Sequence, residues 1–184
     1  MHHIPNIISV LRILLVLPIA ILLLNKAWEM AFILIFIAGI SDAFDGFLAR
    51  TFHWQSKLGS ILDPVADKLL LVVLFVTLAY RDIIPSWLAA LVISRDVVIL
   101  VGAMSYQWIT HDLKITPLLS SKLNTALQIV FVLLLMYHLA VSPVPEKAMF
   151  AMQIAVVVTT IISGVKYVIC WTNYYKNYLE KKNG

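Results

Sequence analysis

The chain has 184 residues, of which 61% are hydrophobic and 13% charged. A soluble domain carries about 25% charged residues, so this composition excludes an ordinary water-soluble protein and points to one membrane-embedded domain over residues 1–184. The formal net charge of +4 comes from Lys and Arg scattered along the chain, which excludes a nucleic-acid patch and suits an anionic lipid surface, and the single Cys170 excludes an internal disulfide or a cysteine metal site.

A helix needs roughly 20 apolar residues to cross a bilayer. Six segments qualify, over residues 5–25, 28–50, 58–80, 85–107, 120–140 and 146–173, which predicts an all-α membrane protein with six transmembrane helices. The first has no Lys or Arg before it and no Ala-x-Ala-like site after it, so it reads as a retained helix and not a cleaved leader. The breaks are polar or proline-bearing: Asn25-Lys26, Thr51 to Lys57, Arg81-Asp82, Gln107 to Pro117, and Ser142 to Pro145. Pro85 and Pro145 sit where helices begin, which suits a residue without a donor N–H. Trp87, Trp108, Trp171, Tyr174, Tyr175 and Tyr178 fall near helix ends, as an interfacial aromatic belt does.

Loop charge orients the chain. Arg50, Lys57, Lys114, Lys122, Lys176, Lys181 and Lys182 lie on one side, and Lys26, Arg81 and Lys147 on the other. The positive-inside rule places the first set, and both termini, in the cytoplasm, most simply at a bacterial inner membrane.

Four of the ten acidic residues fall between positions 42 and 67, at the inner end of the second helix and the start of the third. Asp42 and Asp45 are three apart and Asp63 and Asp67 four apart, so each pair shares a helix face. Carboxylates in hydrocarbon are costly and mark function by default. Arg50, Lys57 and Lys68 are too few to neutralise all four. The simplest partner is a divalent cation, or two, held by oxygen ligands. Asp63 before Pro64 also fits a helix N-cap, which does not exclude metal binding. Gly46 and Ala49 are small and allow close approach. Arg50, one turn further on, is placed to meet a phosphate.

The pattern Asp42-x2-Asp45-Gly46-x2-Ala49-Arg50-x8-Gly59-x3-Asp63-x3-Asp67 resembles the signature of the CDP-alcohol phosphatidyltransferases, with every fixed position met. That resemblance implies a six-helix membrane fold, commonly a homodimer, which transfers a phosphatidyl group from CDP-diacylglycerol to an alcohol and releases CMP. It further implies two divalent ions, Mg²⁺ or Mn²⁺, on Asp42, Asp45, Asp63 and Asp67. Asp67 would be the general base, and Gly46, Ala49, Arg50 and Gly59 would line the CDP site. Asn6 and Arg12, near the inner end of the first helix, are further candidates for contact with the nucleotide.

Outside the signature, the segments Leu78 to Pro85, Val92 to Val97 and Ser121 to Gln128 look like the cardiolipin synthases of that family, whose acceptor is phosphatidylglycerol. The opening Ile4 to Arg12 is shared with phosphatidylglycerophosphate synthases, which use glycerol 3-phosphate. Arg95 and Lys122 are cations inside predicted spans. Arg95 either pairs with Asp96 or grips the acceptor phosphate, and Lys122 either snorkels to the inner interface or does the same. His53, His111 and His138 read as structural or solvated. A cation transporter is a further class compatible with intramembrane acids, but such proteins tend to carry internal repeats and midplane acids. Here the acids cluster at one end, and no repeat is visible.

Overall fold

The computed structural model describes residues 4–52, 59–110 and 119–183, and the side chains of residues 13–41, 68–102, 104–105 and 119–173. The described residues form six helices: α1 (Ile4–Leu24), α2 (Trp28–Phe52), α3 (Gly59–Tyr80), α4 (Ser86–Thr110), α5 (Leu119–Ala140) and α6 (Glu146–Asn183). They match the six segments read from hydropathy to within about three residues at most ends. The exception is α6, which runs ten residues past Asn173. Pro85 and Pro145 each sit one residue before a helix, at the cap position and not the first helical one. Both positions spare the helix a missing donor. Pro18 lies inside α1 without ending it. That is tolerated in an apolar helix whose neighbours and local adjustments satisfy the freed carbonyl.

The helix ends explain the tight connections. Lys26 and Asp82 both have positive φ, 59° and 56°. At the end of α1, Ala27 N–H donates to Leu22 O and Lys26 N–H to Leu23 O. At the end of α3, Ile83 N–H donates to Leu78 O and Asp82 N–H to Ala79 O. This is the Schellman arrangement, built here on non-glycine residues. After α5, Val144 N–H donates to His138 Nδ1 at 2.9 Å, so His138 is a structural cap, in line with its sequence reading.

The chain divides into two compact units. The first comprises residues 1–86 and 132–146, and the second residues 87–131 and 147–184. In the first, α1 packs against both α2 and α3. Val16, Ile19 and Leu23 of α1, Ala31, Ile35 and Ala38 of α2, and Leu71, Leu74, Phe75 and Leu78 of α3 are buried at helical spacing. Phe32 meets Tyr137 edge to face at 6.4 Å.

In the second unit the usual sorting is reversed. Ile154, Val158, Ile161, Ile162, Val165, Val168 and Ile169 of α6 are exposed, while Thr160 and Ser163 are buried. Water would not tolerate so large an apolar surface, and lipid requires it. Leu119–Ala140 and Glu146–Asn173 are long and apolar enough to cross a membrane, and only 33% and 17% of their apolar windows are buried. In α1, α2 and α3 the described side chains cover only the shorter apolar stretches Ile13–Leu24, Trp28–Ser41 and Lys68–Tyr80.

Close backbone approach adds to the second unit. A Cβ built on Gly102 of α4 would sit 2.7 Å from the Trp171 ring of α6. Gly102→Ala should therefore destabilise the protein by about 1–3 kcal/mol, because a rigid ring must shift. Thermal unfolding in detergent measures this, and an unchanged melting temperature would show that the ring moves freely.

Candidate active site

The signature residues fall on two helices of the first unit. Asp42, Asp45, Gly46, Ala49 and Arg50 lie in the second half of α2, and Gly59, Asp63 and Asp67 in the first two and a half turns of α3. Both stretches are continuous helix. The spacings three and four therefore place Asp42 beside Asp45, and Asp63 beside Asp67, in register. Six residues, 53–58, join the two helices, so Phe52 and Gly59 lie at most about 25 Å apart. The connection thus keeps the last turn of α2 and the first turn of α3 within that distance. The side chains of Asp42, Asp45, Gly46, Ala49, Arg50, Gly59, Asp63 and Asp67, and of Asn6 on α1, lie outside the described residues.

Asp63 is the fifth residue of α3, not the residue before it. It therefore does not serve as the N-cap that its position before Pro64 suggested.

The second unit carries the other cations. Arg95 on α4 is only 5% exposed. Its Nη1 donates to Asp96 Oδ1 at 2.6 Å. Its Nη2 donates to Ser121 Oγ on α5 at 2.7 Å and also to Ser163 Oγ on α6. The Tyr167 ring centroid lies 6.0 Å from Arg95 Cζ, within range of a cation–π attraction. One guanidinium thus ties three helices together, and its planar fork suits it to do so. The pairing with Asp96 is present as the sequence allowed. The two serines that complete the shell come from α5 and α6, and no spacing on α4 could have named them.

Lys122 is exposed on the first turn of α5, one residue from Ser121. The turn thus presents a hydroxyl inward and an ammonium outward. One turn further, Asn124 Oδ1 accepts from Thr160 Oγ1 and lies equally close to Thr159 Oγ1, both at 2.9 Å. Gln128 follows on the same face and is also buried. Sequence reasoning gave Ser163, Thr160 and Gln128 no role. The available signal was a run of hydroxyl and amide residues at helical spacing inside otherwise apolar spans, Ser121, Asn124 and Gln128 on α5 and Thr160 and Ser163 on α6.

Comparison with known proteins bears on this arrangement. The family model for CDP-alcohol phosphatidyltransferase matches residues 2–165. A cardiolipin synthase (CMP-forming) of Rattus norvegicus is 34% identical over 145 residues, covering 70% of this chain and 48% of the relative. A cardiolipin synthase (CMP-forming)/mitochondrial hydrolase fusion protein of Schizosaccharomyces pombe is 35% identical over 198 residues, covering 97% of this chain and 32% of the relative. A chloroplastic CDP-diacylglycerol–glycerol-3-phosphate 3-phosphatidyltransferase of Oryza sativa is 31% identical over 147 residues, covering 71% and 45%. The chain therefore spans about half the length, or less, of these curated relatives.

Proposed function

This chain belongs to the CDP-alcohol phosphatidyltransferase family, and we propose that it transfers a phosphatidyl group from CDP-diacylglycerol to phosphatidylglycerol, giving cardiolipin and CMP. The observation that carries the reaction class is the complete aspartate signature, set on continuous helix at the joined ends of α2 and α3. The choice of phosphatidylglycerol is supported by the Ser94-Arg95-Asp96 and Ser121-to-Gln128 segments and by the names of the rat and S. pombe relatives.

The acceptor's hydroxyl oxygen attacks the phosphatidyl phosphorus, and a new P–O bond forms. The bond from that phosphorus to the CMP phosphate oxygen breaks, and CMP leaves. The hydroxyl proton passes to the Asp67 carboxylate, which needs only hydrogen-bond reach to act as base. Arg50 pairs with the pyrophosphate, and Gly46, Ala49, Gly59 and Asn6 shape the CDP pocket by leaving room for it. Arg95 and Lys122 hold the acceptor phosphate. Arg95 does so by exchanging a serine partner for a phosphate oxygen, and Lys122 from its exposed place on the neighbouring turn.

The donor set fits two divalent ions, Mg²⁺ or Mn²⁺. Asp42, Asp45, Asp63 and Asp67 are hard oxygen ligands arranged in two helical pairs. Held there, such ions would neutralise pyrophosphate charge and stabilise the leaving phosphate. The exposed apolar faces of both units support a membrane location. In this reading residues 1–184 form one multi-pass domain of six spans. Its termini and active site are cytoplasmic, its membrane is a bacterial inner membrane, and it works as a homodimer.

A second reading takes glycerol 3-phosphate as acceptor and is favoured by the name of the rice relative. A phosphate monoester carries nearly two charges, as a phosphorylated side chain does, and calls for more cations than Arg95 and Lys122 supply. The test offers purified protein both acceptors with CDP-diacylglycerol and Mg²⁺ or Mn²⁺. Cardiolipin and CMP are the expected products. Phosphatidylglycerophosphate formed in place of cardiolipin would select the second reading.

A further inference from the structure

Unpartnered buried polar atoms lie along one face of α5 and on Arg95 of α4 in the second unit. Asn124 Nδ2, Gln128 Nε2 and Oε1, Arg95 Nε and Ser120 Oγ are all enclosed with no hydrogen-bond partner among the described residues. Asn124 is 0% exposed and Gln128 1%. The two amides lie four apart on α5 and so share a face. That face meets Thr160 of α6 at Asn124 and Arg95 of α4 at Ser121. An enclosed polar atom with no partner is destabilising, and between membrane helices bulk water is not at hand to relieve it. Leu or Met at either position would fill the same space without that cost.

The unmet groups describe what would satisfy them. Arg95 Nε–H and the amide NH₂ groups of Asn124 and Gln128 are donors, Gln128 Oε1 is an acceptor, and Ser120 Oγ can be either. The complementary guest is rich in acceptor oxygens, is negative beside the guanidinium, and carries hydroxyl protons. A glycerol phosphate group has that composition. We infer that the seam between α5 and α6 is the subsite that reads the hydroxyls of the acceptor's glycerol phosphate, with Asn124 and Gln128 as specificity-determining residues. The inference rests on the transferase reading above and deepens it.

The same chemistry comes from phosphatidylglycerol or from free glycerol 3-phosphate, so the test uses two matched pairs. Phosphatidylglycerol is compared with phosphatidylpropanol, and glycerol 3-phosphate with propyl phosphate. Each second member keeps the phosphate and lacks the hydroxyls. Affinities come from thermal shift of the full chain and, for the two acceptors, from KM for CMP release. Wild type should prefer the hydroxyl-bearing member of one pair by about tenfold or more, because a site built to bond a hydroxyl rejects its absence. The pair that shows the preference identifies the source. Gln128→Met, which keeps the length and removes both amide atoms, should bring the ratio to within about twofold. Asn124→Leu should act in the same direction. In both, KM for CDP-diacylglycerol should stay unchanged, and the melting temperature of Gln128→Met should not fall. A wild-type ratio near one in both pairs overturns the inference, as does a ratio that survives Gln128→Met with CMP release intact. A lower melting temperature in Gln128→Met overturns it too, because the amide is then paired in the resting fold. If wild type releases no CMP with either acceptor, the transferase reading fails, while the thermal-shift ratios still decide the subsite.

Discussion

Asp67→Asn should remove nearly all turnover while leaving the fold intact. The substitution preserves size and helix register and deletes only the capacity to accept a proton. Loss of a positioned base typically costs about 10²–10⁴-fold in rate. Asp67 sits two turns into α3, four residues after Asp63. An amide oxygen there can still ligate weakly, so CDP-diacylglycerol binding should fall much less than the rate. CMP release and CDP-diacylglycerol affinity, measured on the same preparation, separate the two effects. Near-normal turnover in Asp67→Asn would rule out this residue as the base. Asp42→Asn and Asp45→Asn should behave differently, weakening metal and CDP-diacylglycerol binding together.

Chelation should abolish transfer completely. Four carboxylates brought to one site, as proposed, would repel one another, and Arg50, Lys57 and Lys68 would be too few to balance them. Adding EDTA should bring CMP release to background, and excess Mg²⁺ or Mn²⁺ should restore it. The chelator should also lower the melting temperature, since a ligand that binds only the folded state stabilises it by mass action. Full activity in excess EDTA would mean that the acids are held by some other means, and the role given to Asp42, Asp45 and Asp63 would go with it.

The helices were legible in the sequence because a twenty-residue apolar run separated by polar breaks leaves little choice of structure. The aspartate register was legible for the same reason, since spacings of three and four are local properties of one helix. The far end of α6 was not. Hydropathy falls after Asn173, but Tyr174 to Asn183 includes no Pro or Gly, so nothing stops the helix where the apolar run ends. The shell around Arg95 was half legible. Its pairing with Asp96 is a neighbour effect, whereas Ser121 and Ser163 stand 26 and 68 residues away in sequence. Only packing brings those hydroxyls to one guanidinium. Asn124 and Gln128 were visible as part of a segment, but their enclosure follows from α6 lying against α5.

The uninterrupted course of α6 has a practical consequence. Its 38 residues extend about 57 Å at 1.5 Å per residue. A bilayer with its headgroups is about 40–45 Å thick, so α6, if it crosses one, would extend beyond it as a stiff rod of two turns or more. A small helical protein fused to Asn183 in continuous register would ride on that rod without a hinge. Each residue added at the junction turns the fusion by about 100° around the axis, so a short series of junctions offers a choice of orientations. Such a lever would give a 20.7 kDa protein a rigid mass outside the lipid, by which single particles could be aligned in electron cryomicroscopy.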